Sequence, residues 1–508
     1  MKNQQSIKVN FIYNLIYQIL ALIIPIITAP YVSRILGPNG IGVYSYTYSI
    51  VYYFMLLTLL GVNNYGNRII AKVRDDKYKL SKTFISVYLL QMFCGIIMLL
   101  LYFIYIFLTK PQDILISIIL SIFILSSVCD INWFFFGLEQ FKKTVTRNIF
   151  IKIVNVILIF IFVKKENDLW KYALIMSCMT FLGQLLLWPF LKKEIFLVKV
   201  KISDIFKHVK PNLILFIPVL AVSFYKIMDK IMLGILTNMD EVGYYENAEK
   251  IITIPFTLIT ALGTVMLPRI SNIVSNGDIK KAKKYISKSI QFVLFLSLPM
   301  CFGLMAIGEK FAPLFFGIDF QKTGILIMLL AITLPFLSFA NVLRTQYLIP
   351  IERDKEYIIS VFLGAIVNLV INFIFIPKLA GIGACIGTIC AEIVVTVYQS
   401  FVLRKELDIK EYVISNYKFY SNSFIMFIII YSIRYLSLNS VVEIIIQVIL
   451  GIAIYFILNY RYILLNIKTI FFRRKDNDKR EKNWCFKVYW IVLHYFGSRK
   501  STSNNISN

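Results

Sequence analysis

Charge is scarce in this sequence. Only 16% of its 508 residues are Asp, Glu, Lys or Arg, and acids are scarcer still, 28 against 54 bases. A soluble globular chain carries about 25% charged residues, so the composition excludes a water-facing surface around most of the chain. Histidine is almost absent: His208 and His494 are the two. A membrane enzyme needs an acid, a base or a nucleophile gathered at one membrane face, and neither paired acidic motifs nor a nucleotide-binding P-loop is present. Cys94, Cys129, Cys178, Cys301, Cys385, Cys390 and Cys485 are scattered without a C-x-x-C pair. They read as small packing residues rather than disulfide or metal ligands. No cofactor is expected.

What the sequence has instead is long apolar blocks, with 58% hydrophobic residues and a mean hydropathy of +0.72. Val9 to Val32 contains no charge. About 20 apolar residues cross the hydrocarbon core, where every backbone polar group must be satisfied internally, so the blocks must be helical. Barrel strands would be half as long and would alternate in polarity. The first block exceeds a signal-peptide core and is expected to stay. Fourteen spans are expected, near 9–32, 43–65, 84–108, 114–136, 147–163, 169–191, 211–235, 251–268, 289–307, 324–348, 357–376, 381–403, 420–436 and 441–460.

A net charge of +26 is of the size nucleic-acid binding needs, but its distribution does not point there. With the N-terminus in the cytoplasm, 40 of the 54 bases fall in cytoplasmic segments, 10 in outer loops and 4 within spans. Such asymmetry is the positive-inside rule, and it predicts both termini in the cytoplasm of a multi-pass protein of the cytoplasmic membrane. Basic runs such as Lys280 to Lys284 and Arg473 to Lys475 read as topology signals that can also meet anionic lipid. Trp484 to Phe496 could lie in the interface as a helix.

The chain also echoes itself. Val154–Val163 (VNVILIFIFV) and Val367–Ile376 (VNLVINFIFI) share a constant offset that also places Glu139 on Glu352. Earlier, Arg34, Leu36-Gly37, Gly42 and Tyr44 parallel Lys230, Leu233-Gly234, Gly243 and Tyr245. Both copies start on a helix leaving the cytoplasm, the pattern of parallel transporter repeats. The expected division is an N-lobe of spans 1–6 (1–195), a C-lobe of spans 7–12 (196–405), spans 13–14 (406–460) and a basic tail (461–508).

Three segments carry a family resemblance: SRILGPNGIGVYSYTYSIV (Ser33–Val51), DINWFFFGLEQFKK (Asp130–Lys143), and YKIMDKIMLG (Tyr225–Gly234) with VGYYENAEKI (Val242–Ile251). They resemble the polysaccharide transporter, or Wzx-type flippase, family of the multidrug/oligosaccharidyl-lipid/polysaccharide exporter superfamily. The resemblance implies two six-helix lobes around a central cavity. It also implies transfer of undecaprenyl-pyrophosphate-linked oligosaccharide units between leaflets for capsule, O-antigen or exopolysaccharide synthesis. Glycosyltransferases or a polymerase of the same pathway would be partners, besides membrane lipid.

Sugar hydroxyls and a pyrophosphate need a polar route through hydrocarbon, and ionisable residues inside spans are candidates for it. Lys226, Asp229 and Lys230 fall at i, i+3 and i+4, on one helical face. That face and Arg34, on the corresponding helix of the other lobe, are expected to line the cavity, with Asp229 neutralising the lysines when the site is empty. Arg34 and Lys230 could instead snorkel to outer head groups. Lys152 and Arg344, near inner ends, could meet the incoming pyrophosphate or snorkel. Glu392, near mid-span, is the first candidate for a coupling cation. Asp130 is the second, although it could instead anchor the W-F-F-x-G-L-E turn. Pro25, Pro30, Pro218, Pro255 and Pro335 interrupt spans and are expected to kink or hinge them. Another exporter of the same fold is the nearest alternative, and a membrane polymerase or acyltransferase a more distant one. Without an ATPase motif, energy must come from an ion gradient or from the substrate gradient.

Overall fold

The computed structural model describes residues 7–464, with side chains from residue 23 onward except those at 225, 262, 264 and 265. The run at Arg473 to Lys475, the stretch Trp484 to Phe496, Cys485 and His494 lie outside the described residues. Among those described, all regular structure is helical. Residues up to 206 form α1 (Ile7–Leu59), α2 (Val62–Val73), α3 (Lys77–Thr109), α4 (Ile114–Val128), α5 (Asn132–Gly137), α6 (Phe141–Phe162), α7 (Leu169–Leu185), α8 (Trp188–Leu191) and α9 (Ile202–Phe206). The second series is α10 (Val209–Leu236), α11 (Met239–Ser275), α12 (Ile279–Phe316), α13 (Gln321–Ala331), α14 (Thr333–Leu343), α15 (Asp354–Leu379) and α16 (Gly381–Leu403). Then follow α17 (Ile409–Ile414), α18 (Tyr417–Ser432) and α19 (Ser440–Leu458).

Twelve described stretches are long and apolar enough to cross a membrane. The α13 and α14 segments, bent by 41° at their junction, would make a thirteenth. Pro335 sits in the first turn of α14, where its missing N–H costs nothing. The other four expected prolines stay inside continuous helices. The shortfall from fourteen lies in α1, which covers both of the first two expected spans without an assigned break. Gly37 nonetheless leaves helical geometry there, at φ 65° and ψ 178°. A side chain would have open space around it, so what demands glycine is the backbone conformation alone.

Helix ends follow local chemistry. Asn238 accepts from the Glu241 N–H at 3.0 Å and starts α11, with Asp240 and Glu241 in its first turn. Asp76 and Asp278 cap α3 and α12 in the same way. Glu139 and Glu352, expected to correspond, both take positive φ, 58° and 60°. Non-glycine residues rarely do so. Each closes the same pair of backbone bonds: Glu139 N–H to Phe136 and Gln140 N–H to Phe135, then Glu352 N–H to Ile349 and Arg353 N–H to Leu348. Identical helix stops at one offset are strong support for a structural repeat.

Helices α1 to α7 pack mainly on one another, and α10 to α16 do likewise. The Trp133, Phe134 and Phe135 side chains are fully buried in the first group. Pairs α1–α11, α1–α10 and α2–α10 join the groups. Helices α18 and α19 lie against α12. There Lys310 pairs with the buried Glu443, and Tyr455 donates to the Phe295 carbonyl at 2.9 Å. Many large apolar side chains elsewhere point outward, such as Phe107, Phe373 and Ile457. Water would not tolerate so broad an apolar exterior, but lipid would.

Candidate functional site

The two groups meet most closely where α1, after Gly37, crosses the start of α11. A Cβ on Gly42 would lie 1.7 Å from the Met239 carbonyl oxygen, and one on Gly243 would lie 2.1 Å from that of Pro38. Each glycine thus abuts the carbonyl four residues before the other, a reciprocal contact between positions the sequence pairs. The Tyr46 ring fills the space a Gly234 side chain would occupy. Asn247 Nδ2 donates to Ser33 Oγ at 2.8 Å across the same seam.

Beside this contact lies a cluster of half-buried charge. Lys230 Nζ donates to Glu246 Oε2 and Glu249 Oε2, both at 3.0 Å. Ser45 Oγ donates to Glu246 Oε2 at 2.8 Å from α1, and Lys250 Nζ lies 3.2 Å from Glu246 Oε1. Glu246, Glu249 and Lys250 share a face of α11 because three- and four-residue spacings do so on any helix. Lys226 is exposed, within electrostatic reach of Glu249 and Arg344. The guanidinium of Arg344 stands 5.4 Å from the Tyr357 ring centroid. Tyr44, Tyr48 and Tyr172 supply an aromatic wall, with centroids 6.0 Å apart for the first pair and 4.8 Å for Tyr44 and Tyr172. Cations, hydroxyls and aromatic faces together can engage a phosphate and a glycan.

Asp229 departs from its expected role. It is 2% exposed and faces α15 and α16 rather than its lysine neighbours. Its carboxylate accepts from Tyr245 Oη at 2.6 Å, Asn372 Nδ2 at 2.5 Å and Thr388 Oγ1 at 2.7 Å. Consecutive helical positions diverge by about 100°, which sends Asp229 one way and Lys230 the other. The lysine is neutralised by Glu246 and Glu249 instead. Asn372 continues to Asn368 at 3.1 Å, and Gly387 leaves room for the Asn372 side chain. One turn past Thr388 lies Glu392, 3% exposed and with no hydrogen-bond or ion-pair partner among the described residues. Carboxylate, amide and hydroxyl oxygens in this arrangement can hold a proton or a hard cation.

Other candidates lie apart. Arg34 is exposed and donates to the Leu314 carbonyl at 2.6 Å. Lys152 is half-buried on α6. Asp130 Oδ1 accepts from the Asn132 N–H and Nδ2, at 2.8 and 2.7 Å, and so braces the turn before Trp133. Asn132 in turn receives Arg147 at 2.5 Å. At the other end of the seam, Tyr65 Oη meets the buried His208 Nδ1 at 2.6 Å. There Gly61, at φ 83°, abuts the backbone of Asn212 and Phe216.

Sequence reasoning missed Glu246, Glu249, Ser45, Asn372 and Thr388 as site residues. It set the eighth span at 251, whereas α11 starts at Met239, so the acids were counted in a loop. Their helical spacing opposite Lys230, and two asparagines in an otherwise apolar VNLVINFIFI, were the available signals.

A family described as polysaccharide biosynthesis protein matches residues 7–274, and one described as MatE matches residues 215–374. The "Putative O-antigen transporter" of Escherichia coli (strain K12) is 24% identical over 400 residues, 78% of this chain and 96% of that protein. The "Probable low-salt glycan biosynthesis flippase Agl15" of Haloferax volcanii is 25% identical over 187 residues, 37% of this chain and 39% of that protein. Among solved structures, the lipid II flippase MurJ in an inward closed conformation superposes with a TM-score of 0.72. That match covers 90% of this chain and 99% of MurJ at 19% identity, a likeness of fold.

Proposed function

Because the chain belongs to the polysaccharide biosynthesis protein family, we propose that it is a flippase for undecaprenyl-pyrophosphate-linked oligosaccharide units. It serves capsule, O-antigen or exopolysaccharide synthesis in the cytoplasmic membrane. The observation that carries this reading is the Lys230–Glu246–Glu249–Ser45 cluster at the seam of two helix groups, inside a protein with an apolar exterior. Half-buried charge of this kind is costly in a membrane and calls for a polar cargo.

In this proposal Gly37 divides α1 into two crossings, giving fourteen, with both termini in the cytoplasm as the basic residues favour. The lobes are 1–195 and 196–405, with spans 13–14 (406–460) clipped to α12. Lys226, Lys230 and Arg344 receive pyrophosphate or sugar as the lobes rock, and Lys152 faces the entering head group. Glu392 and Asp229 carry the coupling proton or cation, while Asp130 braces its turn. Glycosyltransferases or a polymerase act before and after it.

The test is a deletion strain. Lipid-linked repeat units are expected to accumulate on the inner leaflet and to clear when the chain is restored. Rescue instead of a peptidoglycan-precursor flippase defect, with no effect on glycan, would replace this substrate by that one.

A further inference from the structure

We propose that a groove beside Arg34 seats the single polyprenyl chain of a phosphate-headed lipid, with Arg34 and Lys164 at its phosphate. The proposal rests on the flippase reading and adds to it a place for the lipid outside the sugar path.

The groove encloses about 470 Å³, within the range of roughly 300–1,000 Å³ that ligand sites occupy. Ile27, Pro30 and Ile35 of α1 form its floor, Phe160 of α6 one wall, and Phe311 and Leu314 of α12 the other. It therefore lies on a seam between the two helix groups, at the end of the first crossing where the lobes touch through Gly42 and Gly243. Its interior offers nothing to a sugar. Tyr31 is the one other polar side chain lining it, and its hydroxyl is committed to the Val163 carbonyl at 2.8 Å.

Two cations stand by the groove, Arg34 in its lining and Lys164 over the ring of the lining Tyr31. Arg34 commits one Nη to Leu314 and keeps further donors of its five for an oxyanion. Lys164 is exposed, with its ammonium 5.8 Å from the Tyr31 ring centroid. Two cations beside one apolar strip complement an amphiphile with an anionic head and a long chain. A single strip suits one chain better than the two of a diacyl phospholipid. Arg34 thus acts at the lipid and not in the sugar path.

The full chain in detergent, loaded with a polyprenyl phosphate and read by native mass spectrometry, tests this. A bound lipid is expected, weakened about tenfold both by Arg34→Gln with Lys164→Gln and by Ile27→Trp, which fills the half-exposed floor. Neither phosphatidylglycerol nor inorganic pyrophosphate at equal concentration should displace it. Retention in both variants, or full displacement by either competitor, overturns the groove. Glycan export by the unaltered chain in a deletion strain reads the flippase proposal separately, so failure of one is distinguishable from failure of the other.

Discussion

Two buried carboxylates, Asp229 and Glu392, are separated by their surroundings. Asp229 takes three donated hydrogen bonds, whereas Glu392 has no partner among the described residues. Hydrogen bonds to a charged group contribute about 1.5–3 kcal/mol each. Asp229→Asn should therefore lower thermal stability markedly, by removing the charge that takes three donated bonds. Glu392→Gln removes no bond and should leave the melting temperature within a few degrees. Transport by Glu392→Gln is expected to lose its response to an imposed ion gradient. A gradient response equal to that of the unaltered protein would remove Glu392 from coupling. At this scale the sequence exposed the cations and the mid-span acid, because charge in an apolar run stands out. It did not expose the partners of Lys230, since which of two adjacent residues faces which helix depends on packing that spacing alone does not determine.

Between elements, the reciprocal approach of Gly42 and Gly243 holds α1 against α11 with no room for a methyl group. Overpacking at a tight contact costs roughly 1–3 kcal/mol. If this contact closes the outer side, Gly243→Ala should shift the population toward states with that side open. Cysteines placed at Ser33 and Asn247, whose side chains bond across the seam, would cross-link less readily in that background. Unchanged cross-linking would mean that the lobes do not separate there. An offset was legible in the sequence, and the positive-φ helix stops at Glu139 and Glu352 fall on it. The first two expected spans are separate apolar blocks in the sequence, whereas α1 runs through both without an assigned break. The open backbone at Gly37 was not legible, because nothing in the sequence distinguishes it from a glycine inside a continuous helix. The start of α11 was obscured for the opposite reason, since a helix that carries Glu246, Glu249 and Lys250 into the seam reads locally as a polar loop.

For the whole molecule, an apolar exterior surrounds a seam that holds the half-buried Lys230, Glu246, Glu249 and Lys250, and both ends of that seam are in contact, through Gly42 with Gly243 and through Tyr65 with His208. A cargo path along it requires the two contacts to open in turn, with Lys230 held by the acids of α11, one of which also accepts from the Ser45 hydroxyl of α1. The most direct measurement is the leaflet distribution of lipid-linked repeat units in cells that carry either the unaltered chain or Lys230→Gln at matched membrane levels. Units reachable by an outside label should fall about tenfold or more in the variant, as expected from losing contacts worth about 1.5–3 kcal/mol to the cargo. Equal labelling of the two strains would contradict transport through this cluster.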